Sequence, residues 1–321
     1  MPEVAPHNEA LPRVAFVGFG EAAQAFWAGW KLAAVPPARA FDIATDMPSR
    51  RLGKLDDYRR TSMDGAETLA EALRDAEVVF SLVTADNAQA AASAAAGMLP
   101  RGALWFDCNS CAPQTKQKSS ELIERAGGRY VDVAVMAPVH PRLHRTPLLV
   151  SGPHCDAALS ALAALGMEAD AVSDVVGTAS SIKLCRSIMI KGLEALTAEC
   201  VLAGRKLGVE EMVLATLEET FPGFGWQRRA AAMLERSVVH GRRRAAEMRE
   251  TAAMVESLGL PGRMSHATAI WQQQIGELGL QISRDDLGAR ADAILAALNG
   301  TARASQPRPN QIPASDKEEL T

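Results

Sequence analysis

Short apolar runs alternate with stretches of helical periodicity through the first half of the chain. Arg13–Gly18, Ala40–Asp46, Val78–Val83, Ala103–Asp107, Tyr130–Val135 and Leu148–Ser151 read as strands, and VAFVG and VVFSLV are apolar almost without interruption. Strands covered on both faces have this pattern because neither face meets water. Between them, Glu21–Leu32, Thr68–Arg74, Ala85–Met98 and Pro113–Ala126 read as helices. This alternation predicts a parallel sheet joined by right-handed crossovers.

Beyond Ser173 the pattern turns helical throughout. Ser180–Lys206 contains no proline and reads as one long helix, followed by Val209–Thr220, Trp226–Leu258, Gly262–Leu278 and Asp285–Leu298. Pro222, Gly223 and Gly225 punctuate the first gap, and Gly259 and Pro261 the next. The chain thus divides into a flexible start over 1–11, an α/β domain over 12–175, an all-α domain over 176–300 and a polar, proline-rich, disordered tail over 301–321.

VAFVGFGEAAQAF, residues 14–26, places Gly18, Gly20 and Ala23 in a G-x-G-x-x-A pattern directly between a strand and a helix. The first glycine permits the turn, the second lets backbone approach a pyrophosphate, and the small third residue lets helix and strand pack closely. The helix N-terminus then offers its N–H groups and positive dipole end to phosphate. Phe19, Glu21 and Ala22 complete the turn. The first domain is therefore expected to be a Rossmann-type domain binding NAD or NADP. Asp46 is the candidate acceptor for the adenosine ribose, tilting the balance toward NAD, while Arg50 and Arg51 are placed to neutralise the 2′-phosphate of NADP.

With a net charge of -4, the chain has no general attraction for polyanions, and no nucleic-acid partner is expected. No stretch reaches the ~20 apolar residues that span a bilayer, and the N-terminus lacks the basic start of a signal peptide. An odd set of five cysteines fits a reducing, cytoplasmic setting. Cys108 and Cys111 form a lone CxxC. Without a second pair it is a poor zinc site, so no metal is expected.

Further segments follow the order of the β-hydroxyacid dehydrogenase superfamily, which includes 3-hydroxyisobutyrate, tartronate-semialdehyde and 6-phosphogluconate dehydrogenases. VVFSLVT, residues 78–84, resembles its nicotinamide-side run, bringing in Val83 and Thr84. FDCNSCAP, residues 106–113, resembles D-x-S-T-x-x-P, with Asn109 and Ser110 at the serine and threonine positions. YVDVAVM, residues 130–136, resembles the substrate loop D-A-P-V-S-G-G, and Gly177–Lys183 followed by Ser187 resembles G-x-x-x-x-x-K-x-x-x-N. Glu199 falls where the long helix usually carries a glutamate. The resemblance spans roughly residues 12–300. GFGEAAQAF, IKLCRSIMIKGLEAL and RRRAAEMRE are most similar to a branch with a C-terminal domain of unknown function. It implies hydride transfer between NAD(P) and a hydroxyl-bearing carbon of a small carboxylic acid, with one lysine as proton relay.

Several positions depart from that pattern. Met136, Ala137 and Pro138 stand where Ser-Gly-Gly is usual, and Ser187 replaces an asparagine. The resemblance makes Lys183 the relay, with Ser187 and Lys191 at one-turn intervals along the same helical face. Ser110, Val135, Met136 and Ala137 become substrate contacts. His140 and Arg142 lie in a loop after a strand, where an arginine can clamp a carboxylate. Arg242–Arg244 reads equally well as a solvated helix face. An imine reductase of the same plan is an alternative, opposed by a lysine where tyrosine or aspartate would favour it. A nucleotide-binding protein without catalysis is another. Alanine- and leucine-rich helices predict a homodimer or larger assembly.

Overall fold

The computed structural model describes residues 11–281 and 286–304. Eight strands form one sheet: β1 (Val14–Val17), β2 (Ala38–Phe41), β3 (Asp64–Gly65), β4 (Val78–Ser81), β5 (Leu104–Asp107), β6 (Arg129–Val135), β7 (Leu148–Ser151) and β8 (Ala169–Ser173), in the order β3-β2-β1-β4-β5-β6-β7-β8. Successive residues send side chains to opposite faces. Phe16, Phe80 and Phe106 join one core layer, whereas Ala15, Val17, Val79 and Trp105 join the other. The first layer packs on α1 (Glu21–Leu32), where Trp30 lies 5.6 Å from Phe16 and donates through Nε1 to the Leu165 carbonyl at 2.9 Å.

An α/β protein with an all-helical C-terminal region was expected and is found, but not with a wholly parallel sheet. β6 and β7 pair antiparallel, Asp132 opposite Ser151 and Val135 opposite Leu148. The connection between them holds only a short 3-10 turn at Leu143–Arg145, and a return without a crossover helix produces an antiparallel neighbour. The second expected strand is also shorter. Chain beyond Phe41 curls into a 3-10 turn, Ile43–Asp46, with the Asp42 side chain accepting from the Ala44 N–H at 2.9 Å.

Four elements escape the sequence patterns. Helix α2 (Pro48–Thr61) buries only Tyr58 and is otherwise too polar to show an apolar stripe. α3 (Leu69–Leu73), α4 (Ala88–Ala96) and α5 (Pro113–Arg125) fall where helices are expected. α6 (Cys155–Ala164) is alanine-rich, while β3 is two residues long and β8 is a largely exposed edge.

The helical part contains α7 (Thr178–Leu207), α8 (Glu210–Thr220), α9 (Trp226–Ser257), α10 (Arg263–Glu277) and α11 (Leu287–Ala304). α11 runs into the segment expected to be a disordered tail; the rest of that tail and the start of the chain, apart from Leu11, lie outside the described residues. Compactness divides the chain differently from a boundary near 175. Among the described residues, one unit takes those up to 192 together with 246–269, and the other takes 193–245 with those beyond 269. The second unit has its own core, including Val201, Leu202, Leu234, Ile275 and Ile294. There buried Glu194 receives Arg236 at 2.7 Å and Arg244 at 2.5 Å.

In that unit α9 and α10 cross with their backbones in contact. A Cβ on Gly241 would lie 2.4 Å from the Gln272 carbonyl oxygen and 2.8 Å from Gly276. Gly241→Ala is therefore expected to lower stability by about 1–3 kcal/mol, through overpacking that no side-chain rotation relieves. Urea unfolding reads this, and an unshifted midpoint would refute the close crossing.

Candidate active site

β1 lies between β2 and β4, so the strand order reverses there and a crevice opens beyond the carboxyl ends of β1 and β4. Gly18 follows β1 with φ +89, and a Cβ on it would meet the Leu82 carbonyl oxygen at 2.6 Å and Val83 Cγ1 at 2.8 Å. Only glycine fits this site without strain. Gly20 is the N-cap of α1 and offers no side chain to its first turn, and nothing lies within 4 Å of where its Cβ would stand. An uncapped helix N-terminus under open space fits a dinucleotide pyrophosphate. Glu21 is exposed, Ala22 half-buried and Ala23 buried. The Phe19 ring turns into the core, 5.4 Å from Tyr58, leaving only its backbone at the turn.

The acid at the end of β2 is Asp42. It accepts from the Phe19 N–H at 2.9 Å and pairs with Lys54 at 3.4 Å, while Lys54 also donates to the Phe19 carbonyl at 2.8 Å. Asp42 therefore ties the glycine turn to β2. Asp46 is exposed at the end of the 3-10 turn, with Arg50 exposed beside it in the first turn of α2. Arg51 is committed through Nη1 to the Thr45 carbonyl at 2.8 Å.

The turn after β5 lies beside the turn after β4. Asn109 Oδ1 accepts from the Val83 N–H at 2.7 Å, and its amide donates to Ser81 Oγ at 3.0 Å and to Asp107 Oδ1 at 2.7 Å. Thr84 is exposed and accepts from Asn87 at 2.7 Å. Ser110, next in the chain, accepts from Lys183 Nζ at 2.8 Å. Lys191 Nζ donates to Ser187 Oγ at 3.1 Å and pairs with Glu247 at 2.7 Å. Lys183, Ser187 and Lys191 thus share one face of α7, with Ser110 against the first and Glu247 of α9 against the last. Burial lowers the proton affinity of Lys183 to about 8; Glu247 opposes this, and Lys116 and Lys191 reinforce it. An amine in that range exchanges a proton near neutrality.

Sequence reasoning missed the charged groups beneath this site. Lys116 of α5 is wholly buried, 3.0 Å from Asp107 and 3.3 Å from Asp132. Asp107 and Asp132 carry a signal in retrospect, being acids inside the apolar strands LWFD and YVDVAV. Lys116, in QTKQKSS, carries none. Glu247 and Glu250 lie in RRRAAEMRE, a stretch the resemblance drew on without assigning either a role; Glu250 accepts the Ala112 N–H at 3.0 Å, capping the start of α5.

The loop after β6 holds the remaining candidates. Val135 pairs with Leu148 in the sheet, the Met136 N–H donates to the Pro147 carbonyl at 2.9 Å, and Met136 and Ala137 are half-buried. His140 and Arg142 are exposed. Pro138 lacks an N–H and Met136 has spent its own, so this loop offers an anion fewer backbone donors than a Ser-Gly-Gly turn would.

A nicotinamide-nucleotide oxidoreductase is the class these features define. Residues 42–173 match the NAD binding domain of 6-phosphogluconate dehydrogenase, and residues 205–275 match a domain of unknown function (DUF1932). A conserved hypothetical protein from Sinorhizobium meliloti 1021 is 33% identical, with 90% of this chain and 96% of that one covered and a TM-score of 0.72. An uncharacterized 28.5 kDa protein from Methanothermus fervidus is 25% identical over 256 residues, 80% of this chain and 96% of its own length. The fold is shared with a Mycobacterium tuberculosis 3-hydroxyisobutyrate dehydrogenase solved with L-serine, at 14% identity, 88% and 99% coverage and a TM-score of 0.70. The chain belongs to the β-hydroxyacid dehydrogenase-like branch that carries this C-terminal domain of unknown function.

The CxxC thiols are buried and free. Burial pushes Cys108 and Cys111 both up to about 12, and Cys111 Sγ donates to the Ala85 carbonyl at 3.3 Å. Iodoacetamide at pH 8 should alkylate exposed Cys185 and leave these two unmodified in the folded protein, as read by peptide mass spectrometry. Rapid labelling of either would show a thiolate that this geometry does not allow.

Proposed function

We propose that this protein transfers hydride between NAD(P) and the hydroxyl-bearing carbon of a small hydroxy acid or related alcohol, with Lys183 as proton relay. The observation that carries the reading is the withdrawn Lys183 ammonium, 2.8 Å from Ser110 Oγ on the turn beside Asn109 and Val83. Backbone of Gly18, Phe19, Gly20, Glu21, Ala22 and Ala23 would hold the pyrophosphate, and Val83, Thr84 and Asn109 would border the nicotinamide. The dinucleotide supplies or accepts the hydride when bound. Asp46 would hold the adenosine ribose and tilt selectivity toward NAD, with Arg50 placed to oppose it.

Lys183 Nζ would take the hydroxyl proton during oxidation and return it to the carbonyl oxygen during reduction. Ser110 and Ser187 hydroxyls would orient that oxygen, and Lys191, held by Glu247, would add positive potential favouring a carboxylate-bearing substrate. Val135, Met136 and Ala137 would wall the substrate on its apolar side, and His140 and Arg142 would meet its outer end. Helix α7 leaves Ile182, Met189 and Leu196 exposed at seven-residue spacing, which supports a homodimer formed along it.

Lys183→Ala should retain NAD(P)H binding, measured by nucleotide fluorescence, and lose about 10²–10⁴-fold in turnover. Unchanged turnover would remove Lys183 from the mechanism. The pH profile has a definite sign. Oxidation needs the neutral amine, so its rate should rise up to about pH 8, whereas reduction needs the ammonium and should fall above it. Profiles that do not mirror one another would refute the relay. Light scattering should give at least twice the 34.2 kDa chain mass; a single-chain mass would refute the dimer.

A further inference from the structure

Beneath the candidate site lies a set of buried charges that the proton relay does not use directly. Asp107 ends β5 and Asp132 sits in the middle of β6, adjacent in the parallel register. Lys116 of α5 reaches between them. Its Nζ donates to the Asp107 backbone carbonyl at 2.6 Å and to Asp107 Oδ1 at 3.0 Å, and lies 3.3 Å from Asp132 Oδ1. All three side chains are essentially inaccessible to water. Two carboxylates and one ammonium leave an excess negative charge, which needs further donors to persist in such a place.

Those donors come from two directions. On one side Asp107 accepts from the Tyr130 hydroxyl at 2.7 Å, from the Asn109 N–H at 3.1 Å and from the Asn109 side-chain amide at 2.7 Å. On the other, Asp132 accepts from the Gly177 N–H at 3.1 Å, the Ser180 N–H at 3.0 Å, the Ser180 hydroxyl at 2.6 Å and the Ser151 hydroxyl at 3.0 Å. One carboxylate therefore holds the turn that presents Asn109 and Ser110. The other receives the first N–H groups of α7, whose dipole favours a negative charge there. Lys183 is one turn further along that helix, bonded to Ser110.

We infer that Lys116 is a positioning residue: clasped between Asp107 and Asp132, it locks the Asn109–Ser110 turn to the start of α7 and so fixes the Lys183 ammonium against Ser110. This rests on the reading of Lys183 as the relay. A role confined to stability would leave the behaviour of the Lys183 amine unchanged in any variant that still folds. The positioning role would not. The charged groups that act on Lys183 are Glu247 of α9, Lys191 of α7 and Lys116 of α5, with the neutral Cys108 thiol of the turn after β5 beside them. Replacing Lys116 withdraws one of the two cations and loosens the frame that keeps the amine from water. Both changes raise its affinity for a proton.

Competitive labelling with trace acetic anhydride tests this on the protein alone, with the Lys183 and exposed Lys206 peptides quantified by mass spectrometry across pH. In the unaltered chain the Lys183 midpoint should lie near 8. In Lys116→Met it should rise by about one pH unit, a tenfold loss of labelling below the midpoint, and Lys116→Arg should restore it. A folded Lys116→Met with an unmoved midpoint would overturn the inference. Should Lys116→Met fail to fold, Ser180→Ala decides the matter, because it keeps every charge and removes only the 2.6 Å bond to Asp132. Its midpoint should also rise, and an unchanged one would overturn the inference. Turnover of Lys183→Ala judges the relay separately, so either idea can fail without the other.

Discussion

An ammonium sealed from water between two aspartates is the constraint on which the rest of this molecule turns. Lys116, Asp107 and Asp132 sit where β5, β6, α5 and the first turn of α7 converge. Removing one partner of such a group leaves an uncompensated buried charge, at a cost of about 3–5 kcal/mol. The cluster is therefore a strong specifier of local geometry, whatever its net contribution to stability. Helix α7 enters the structure already hydrogen-bonded to a strand, and its Lys183 side chain reaches a turn more than seventy residues earlier in the chain.

Around this centre, charge and hydrogen bonding divide the work by distance from water. The glycine turn is left bare, with open space above Gly20 and no side-chain cap on α1. Asp42 and Lys54 brace the turn from below. Lys183 is buried enough to bring its proton affinity to about 8, whereas Lys116, with two carboxylates against it, is pushed the other way and stays charged. Two neighbouring lysines thus shift in opposite directions, one lowered by burial and one raised by the carboxylates against it.

In this chain the glycine turn is intact, while the loop after β6 has Met136, Ala137 and Pro138 where the superfamily pattern has Ser-Gly-Gly. Pro138 and the committed Met136 N–H leave that loop few free backbone donors, and on α7 and α9 Lys191 links Ser187 to Glu247.

Much of the architecture was written locally. Continuous apolar runs marked β1 and β4, glycine and proline marked the helix breaks, and G-x-G-x-x-A marked the turn, because each of these depends on near neighbours in sequence. What depended on distant partners was silent. Helix α2 has almost no apolar face, and β7 runs antiparallel to β6 where the connection between them carries no crossover helix. Curling of the chain after β2 into a 3-10 turn, which ties Asp42 to the Phe19 N–H and leaves Asp46 exposed at its end, carried no periodic signal either. The glycine turn and the place of Lys183 near the start of a long helix were legible in the sequence alone. Which groups surround Lys183, and hence its chemistry, was decided by tertiary structure, since burial and Coulomb interaction act through space and leave no periodic trace along a chain.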